Sequence, residues 1–283
     1  MIYIVICLFG LALGSFVNAL VWRLHEQEAE AEKKPTKKRA QYLRDLSITK
    51  GRSMCPYCHH QLAAKDLIPV VSFLSLGGRC RYCRHRIDDT PIAEILTVLL
   101  FVLSYAYWPL PLHGAGLLEF VCWLIFVTGF MGLAIYDLKW FLLPNRVVYP
   151  LLALAVVQVL TVALFFSGGT NLLLGSLWGL LVGGGFFYLL FQLSGGKWIG
   201  GGDVKLGAVL GIIVGGPLNA CLVLFGASLI GTVITLPLII TGRAKRTTVI
   251  PFGPFLLVAT IVVRIFGASI VMWLRQRAYL PAN

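Results

Sequence analysis

Charge is what this chain has least of. Only 13% of its 283 residues are Asp, Glu, Lys or Arg, where a soluble domain carries roughly 25%. Acids are scarcer still: 12, against 24 Lys and Arg, and eight of the 12 fall within residues 23–90. The rest of the chain keeps Glu94, Glu119, Asp137 and Asp203. A fold built around a water-excluding core is therefore excluded. No RNA- or DNA-binding motif accompanies the net charge of +12, so nucleic acid is set aside as a partner, and the basic surplus reads as membrane topology. No soluble-type cofactor fingerprint, internal repeat or low-complexity tract is evident. The first apolar run lacks a basic leading region and a clean small-residue cleavage site, which argues against a cleaved signal peptide.

What the chain does have is apolar length. It is 58% hydrophobic, with several runs long enough to cross a bilayer, which takes roughly 20 residues. The expected class is an all-α polytopic membrane protein. Residues 2–22 form the first span, N-terminus outside, ending at Arg23. The polar amide of Asn18 lies about one turn from the exit, where an interhelical hydrogen bond is the ordinary use of such a group, and Gly14 and Ser15 are close-packing positions. Residues 23–54 are hydrophilic, with a solvated helix interrupted at Pro35. Further spans are expected at 91–108, 117–136, 147–166, 172–193 and 255–273, with an outer turn at 167–171. Gly179 and Gly183–Gly185 allow close helix contact within the fifth. Residues 204–240 are either one kinked segment or two helices broken at Gly215-Gly216-Pro217-Leu218-Asn219. Lys197 and Lys205 precede this stretch and Arg243, Lys245 and Arg246 follow it, so keeping both basic ends inside requires two crossings. About eight transmembrane helices result. Arg264, inside the last, has no account. The expected domains are 1–22, a first transmembrane helix; 23–90, a cytoplasmic loop domain; 91–274, a transmembrane domain; and 275–283, a short tail.

Four of seven cysteines form two pairs, Cys55/Cys58 and Cys80/Cys83, with 21 residues between them. Two such knuckles read as a tetrahedral four-cysteine zinc site, with free or redox thiols as the other reading. On the basic, cytoplasmic side disulfides are disfavoured. A closed four-thiolate site would be structural, folding a small loop domain with little core of its own. The apolar run 67–76 between the knuckles would lie against the membrane surface. Cys7, Cys122 and Cys221 lie in apolar runs and read as packing residues.

Gly200-Gly201-Gly202-Asp203-Val204-Lys205 puts a carboxylate and an ammonium into an otherwise apolar half. An ionisable group at membrane depth points to function, although Asp203 could equally cap a helix. Topology supplies a partner: Asp137 ends a span on the same side. Two carboxylates brought close do not both ionise easily, so one keeps a proton and acts as acid while the other activates water. The macrodipole favours charge at a helix start and the proton at a helix end. Asp203 is thus expected as base and Asp137 as acid. Lys205 would bias Asp203 toward ionisation or, pointing outward, serve as a phosphate or interface anchor.

Gly200-x-Gly202-Asp203-x-Lys205 and Asp137…Pro144 together resemble the type IV prepilin leader peptidases, a bacterial family of GxGD aspartyl proteases. Gly14-Ser15-Phe16-x-Asn18 with Arg23, the two cysteine pairs, Ile68-Pro69-x-x-Ser72, Pro91-x-x-Glu94 and Pro251-Phe252-Gly253-Pro254 extend the resemblance over nearly the whole chain. It implies a multi-pass protein of the bacterial inner membrane whose catalytic face is cytoplasmic, with prepilins or pseudopilins and the lipid bilayer as its partners. The leader is cut after a Gly and usually before a Phe. The resemblance makes Asp137 and Asp203 catalytic and gives Gly200, Gly202, Lys205, Glu94, Asn18 and Arg23 supporting roles. Zinc on Cys55, Cys58, Cys80 and Cys83 is structural, and the peptidase chemistry needs no cofactor. Many members also N-methylate the new terminus with S-adenosylmethionine. Two departures stand out: Asp89-Thr90 before Pro91, where the family often has Arg-Tyr, and Asn145 after Pro144, where Asp is frequent. The alternative is a transporter or assembly scaffold with a zinc-stabilised loop. Transporter carboxylates usually sit near the midplane, whereas these sit at helix ends.

Overall fold

The computed structural model describes all residues except 32, 34, 35, 49, 50, 88, 89, 167, 168, 244, 246, 247 and 279–283. Pro35, Asp89, Ser167 and Arg246, which carry an expected interruption, a departure, part of an outer turn and a basic-loop charge, lie outside the described residues. Regular structure among the described residues is helical, apart from two isolated bridges. Among the described residues, six helices are long and apolar enough to cross a membrane, and a further apolar helix, Ile92–Ala106, is shorter.

The chain divides into two compact units, Met1–Ala106 and Tyr107–Asn283. The first is built on α1 (Ile2–Ala31) and α4 (Ile92–Ala106). They run antiparallel: Tyr3 meets Tyr105 edge-on at 5.1 Å, and Gly10 lies against Val98. A Cβ on Gly14 would stand 2.5 Å from Glu94 Cα, so only glycine lets the backbones meet there. α1 runs on past Arg23, the expected membrane exit, to Ala31. Arg23 is buried, 6% exposed, and donates to the carbonyls of Ser47 at 2.9 Å and Gly51 at 3.2 Å, while Gln27 donates to Leu46 O at 2.8 Å. These bonds fasten α2 (Lys37–Asp45) and the following loop onto the helix. A 3-10 turn, Ala64–Asp66, and a short helix, α3 (Val71–Ser75), lie between the knuckles. Leu67, Ile68, Val71 and Leu74 are exposed around it.

The second unit includes α5 (Gly114–Trp140), whose Trp123, Phe126, Phe130, Leu133 and Tyr136 are almost wholly buried. α6 (Asn145–Phe165) and α10 (Gly253–Ala278) pack against it, and α7 (Gly169–Ser194), α8 (Gly201–Val214) and α9 (Pro217–Ile240) pack on these two and on each other. Large apolar side chains such as Leu164, Phe165, Leu181, Phe225 and Ile240 face outward, which suits a solvent of lipid. The 204–240 stretch is two helices. α8 stops where Gly215 takes the left-handed conformation (φ 65°), and Pro217 opens α9. α7 and α8 pack backbone to backbone, with Gly179 against the Gly211 carbonyl and Gly183 against that of Gly207. Gly185, expected at that contact, faces open space.

Candidate active site

Asp137 stands in the last turn of α5, 5% exposed. The helix closes behind it because Phe141 adopts the left-handed conformation (φ 56°) and returns its N–H to Asp137 O at 2.8 Å. Pro144 then caps α6. The Asp137 carboxylate is held by one amide: Gly253 N–H donates to Oδ2 at 3.1 Å across 116 residues of chain. A Cβ on Gly253 would lie 2.5 Å from that oxygen, so the approach requires glycine.

Asp203 lies in the first turn of α8. Gly200 occupies the cap position, so Asp203 does not cap the helix; it is its third residue, and its N–H closes on Gly200 O at 3.1 Å. The expectation of a carboxylate at a helix start holds, while that of a cap does not. Leu143 connects the two halves of the site. Its side chain contacts the Cβ position of Gly202 at 3.1 Å and that of Gly253 at 3.7 Å. Asp137 and Asp203 are close enough to interact electrostatically. The second unit thus gathers both aspartates, Gly200, Gly202 and the unforeseen Gly253 and Leu143 around one apolar hinge. A glycine between two prolines was the available signal for Gly253.

Lys205 takes neither expected role. Its Nζ donates to Asn145 Oδ1 at 2.8 Å and lies 5.2 Å from the Tyr149 ring, tying the starts of α8 and α6. The residue that departs from the family pattern is the one that receives it. Arg264 now has an account: Nη2 meets Glu119 Oε2 at 2.5 Å, with the guanidinium 4.8 Å from the Trp108 ring.

Asn18, Arg23, Glu94 and the four cysteines lie in the first unit. Arg23 is the loop clamp described above. Glu94, 8% exposed, accepts the Val70 N–H at 2.6 Å. Asn18 makes no interhelical hydrogen bond among the described residues, contrary to expectation. Their surroundings include a cavity of ≈ 200 Å³ lined by Ser15, Asn18, Trp22, Ser72, Phe73 and Glu94 among others.

The cysteine sulfurs all lie within 4.8 Å of one another, Cys55 and Cys83 at 3.9 Å. Zinc–sulfur bonds of about 2.3 Å give a tetrahedron edge of about 3.8 Å, so the residues fit a four-thiolate metal. Burial pushes the Cys55 thiol up to about 12. At Cys80 the upward push of burial is outweighed, chiefly by the Cys83 and Tyr82 amides, and the thiol falls to about 7. The knuckles also correct the expectation of no repeat. Residues 53–62 recur 25 positions on as 78–87, each with Cys-x-Tyr-Cys-x-His. Cys55 N–H to His60 O is matched by Cys80 N–H to His85 O, the Met54–Gln61 bridge by Arg79–Arg86, and a positive φ at His59 by one at Arg84. The copies stack on each other reciprocally, Tyr57 on His85 at 3.6 Å and Tyr82 on His60 at 3.8 Å.

The chain is 31% identical over 273 residues to the prepilin leader peptidase/N-methyltransferase of Pseudomonas aeruginosa, covering 93% of this chain and 90% of that protein. It belongs to the type IV leader peptidase family. Like-named proteins of Bacillus subtilis (30% identical; 94% of this chain, 95% of the relative) and Aeromonas hydrophila (32%; 94% and 91%) match over the same span. The model of the type IV leader peptidase family matches residues 124–236, and that of the bacterial peptidase A24 N-terminal domain matches residues 8–108. No solved structure matches the chain. Membership in this family of multi-pass membrane peptidases sets aside the transporter or scaffold alternative.

Proposed function

We propose that this leader peptidase is an aspartyl endopeptidase that removes the leader of type IV prepilins or pseudopilins at the cytoplasmic face of the bacterial inner membrane, with Asp137 and Asp203 as its catalytic pair. What supports the assignment is the placing of the two carboxylates in one unit, within electrostatic reach of each other and at opposite kinds of helix end, with one of them held by the Gly253 amide. In this reading Asp203 accepts a proton from water as the oxygen adds to the scissile carbonyl, and Asp137 gives its proton to the carbonyl oxygen. With Oδ2 taken by Gly253, the mobile proton rides on Oδ1 of Asp137. The gem-diol then collapses: Asp203 passes its proton to the leaving nitrogen, the C–N bond breaks, and a hydroxyl proton returns to Asp137. Gly200, Gly202 and Gly253 keep side chains out of the way, and Lys205 with Asn145 fixes the start of α8.

Eight crossings fit this reading, with α4 and α8 added to the six long helices. At about 22 and 21 Å both are shorter than the hydrocarbon core and depend on their neighbours. We assign the 23–90 segment a structural zinc on Cys55, Cys58, Cys80 and Cys83, and lay its exposed Leu67, Ile68, Val71 and Leu74 on the membrane surface. N-methylation of the new terminus is the second activity. S-adenosylmethionine, when bound, supplies an electrophilic methyl group on a sulfonium.

Leader removal from a prepilin in detergent tests the assignment, with Asp137→Asn and Asp203→Asn expected to stop it. Cleavage by either variant at the wild-type rate would overturn the pair. Elemental analysis of protein purified reduced and without chelators is expected to give one zinc per chain, and its absence removes the metal assignment.

A further inference from the structure

α9 outruns the helix it packs on. It runs antiparallel to α10, with the Cβ position of Gly226 lying 3.4 Å from Ala259 and that of Gly231 lying 3.1 Å from Phe255. α10 begins at Gly253, so the last turns of α9, which continue to Ile240, have no part of α10 opposite them. The segment Thr248–Phe252 faces them instead, and no residue of α9 beyond Gly231 is buried. The result is a groove of ≈ 480 Å³ between α9, this segment and the first turn of α10.

The groove is uncharged: neither an acid nor a base lines it. Phe252 and Phe255 form one end, edge to face with centroids 6.4 Å apart. Ser228 and Thr232 line the α9 side, but each gives its hydroxyl proton back to its own helix, to Leu224 O at 2.8 Å and Ser228 O at 2.7 Å. Such back-bonded hydroxyls ask nothing further of an occupant. α9 is also the least covered of the six long helices. Only 11% of its most apolar stretch is buried, against 61% in α5, so this face is left to whatever else shares the bilayer.

The same groove adjoins the candidate active site. Gly253, between the two phenylalanines in the chain, is the residue whose N–H holds Asp137 Oδ2. A segment seated against Phe252 and Phe255 has one end beside that carboxylate. Cleavage at the membrane face divides a substrate into a part released to water and a part that stays in the bilayer. Only the second suits an uncharged groove along a membrane-spanning helix, because a charge there is costly. We propose that the groove receives the apolar segment that remains in the membrane after the cut, with Phe252 and Phe255 against its first side chains and Thr232 and Ser228 along those deeper in the bilayer. The assignment rests on the peptidase reading above and gives the substrate a direction across the site.

Site-directed cross-linking in the full chain tests it, with a prepilin in detergent as the probe. A benzophenone side chain at position 232 should join the prepilin within the first residues after the cut, as mapped by mass spectrometry. The same group at position 229 should not, since Leu229 is exposed on α9 but lies outside the groove. Thr232→Trp, which fills the groove from an exposed position, should raise KM for leader removal about tenfold with kcat near wild type, the mark of lost substrate binding. Leu229→Trp should leave both unchanged. The assignment is overturned if Thr232→Trp keeps the wild-type KM. It is equally overturned if the probe at 232 reaches only the leader, lipid, detergent or a second copy of the chain. A chain that removes leaders without the cross-link at 232 loses the groove alone, whereas one that forms the cross-link yet removes no leader keeps the groove and loses the peptidase reading.

Discussion

The two ends of α5 each bury a carboxylate, and they treat it in opposite ways. Glu119 and Asp137 are 18 positions apart, about five turns, so they share one helix face. α10 covers that face at both ends. At the Glu119 end it supplies Arg264, a full counter-charge, backed by Trp108. At the Asp137 end it supplies one backbone N–H and no cation. A carboxylate that is neutralised in place has settled its electrostatics and serves as a fastener. One given a single amide and a second carboxylate for company still has a proton to exchange. Burial is similar, 8% and 5% exposed, so the partner, and not the depth, separates structure from chemistry.

That contrast can be broken from either end. The largest effect is expected for Asp137→Asn, which should lower leader cleavage by about 10³-fold or more while leaving the thermal midpoint in detergent near wild type, because the amide keeps an acceptor for Gly253. Glu119→Gln should do the reverse. It strands the Arg264 guanidinium at a cost of about 3–5 kcal/mol, visible as a lower thermal midpoint, and Glu119→Leu with Arg264→Met should recover much of it. Gly253→Ala comes next: its Cβ displaces the Asp137 carboxylate and should cost about 10² in kcat, read as unchanged KM with a slower turnover. The smallest effect belongs to Lys205→Met, which loses one bond to Asn145, about 1 kcal/mol, and should shift stability slightly and cleavage by a few-fold at most. Equal losses of activity in Asp137→Asn and Glu119→Gln would erase the distinction between the two ends.

The sequence makes some of this legible and hides the rest, for identifiable reasons. Apolar run length locates the helices, and the glycines at 215 and 216 with the flanking basic residues locate the break between α8 and α9. The aspartates are readable because a carboxylate in an apolar half of a chain has few other uses. The loop clamp of Arg23 was not legible, since a buried arginine that satisfies loop carbonyls has the same sequence context as a solvated one. The Glu119–Arg264 pair joins residues 145 positions apart, and Gly253 reaches Asp137 from 116 away; neither partner is implied by local spacing. Counting only cysteines hid the knuckle repeat, because the tyrosine and histidine that complete it carry no metal-ligand signal of their own.

The crossed stacking of those knuckles has a consequence for assembly. Each copy is ten residues long and lends its tyrosine to the other's histidine, and the four sulfurs are close enough together to share one ion. A half-formed loop has neither its stacking partner nor a complete set of ligands. With the proposed zinc, metal uptake and folding of this segment would form one cooperative event, and a titration with zinc should show a single sharp step with no populated halfway state.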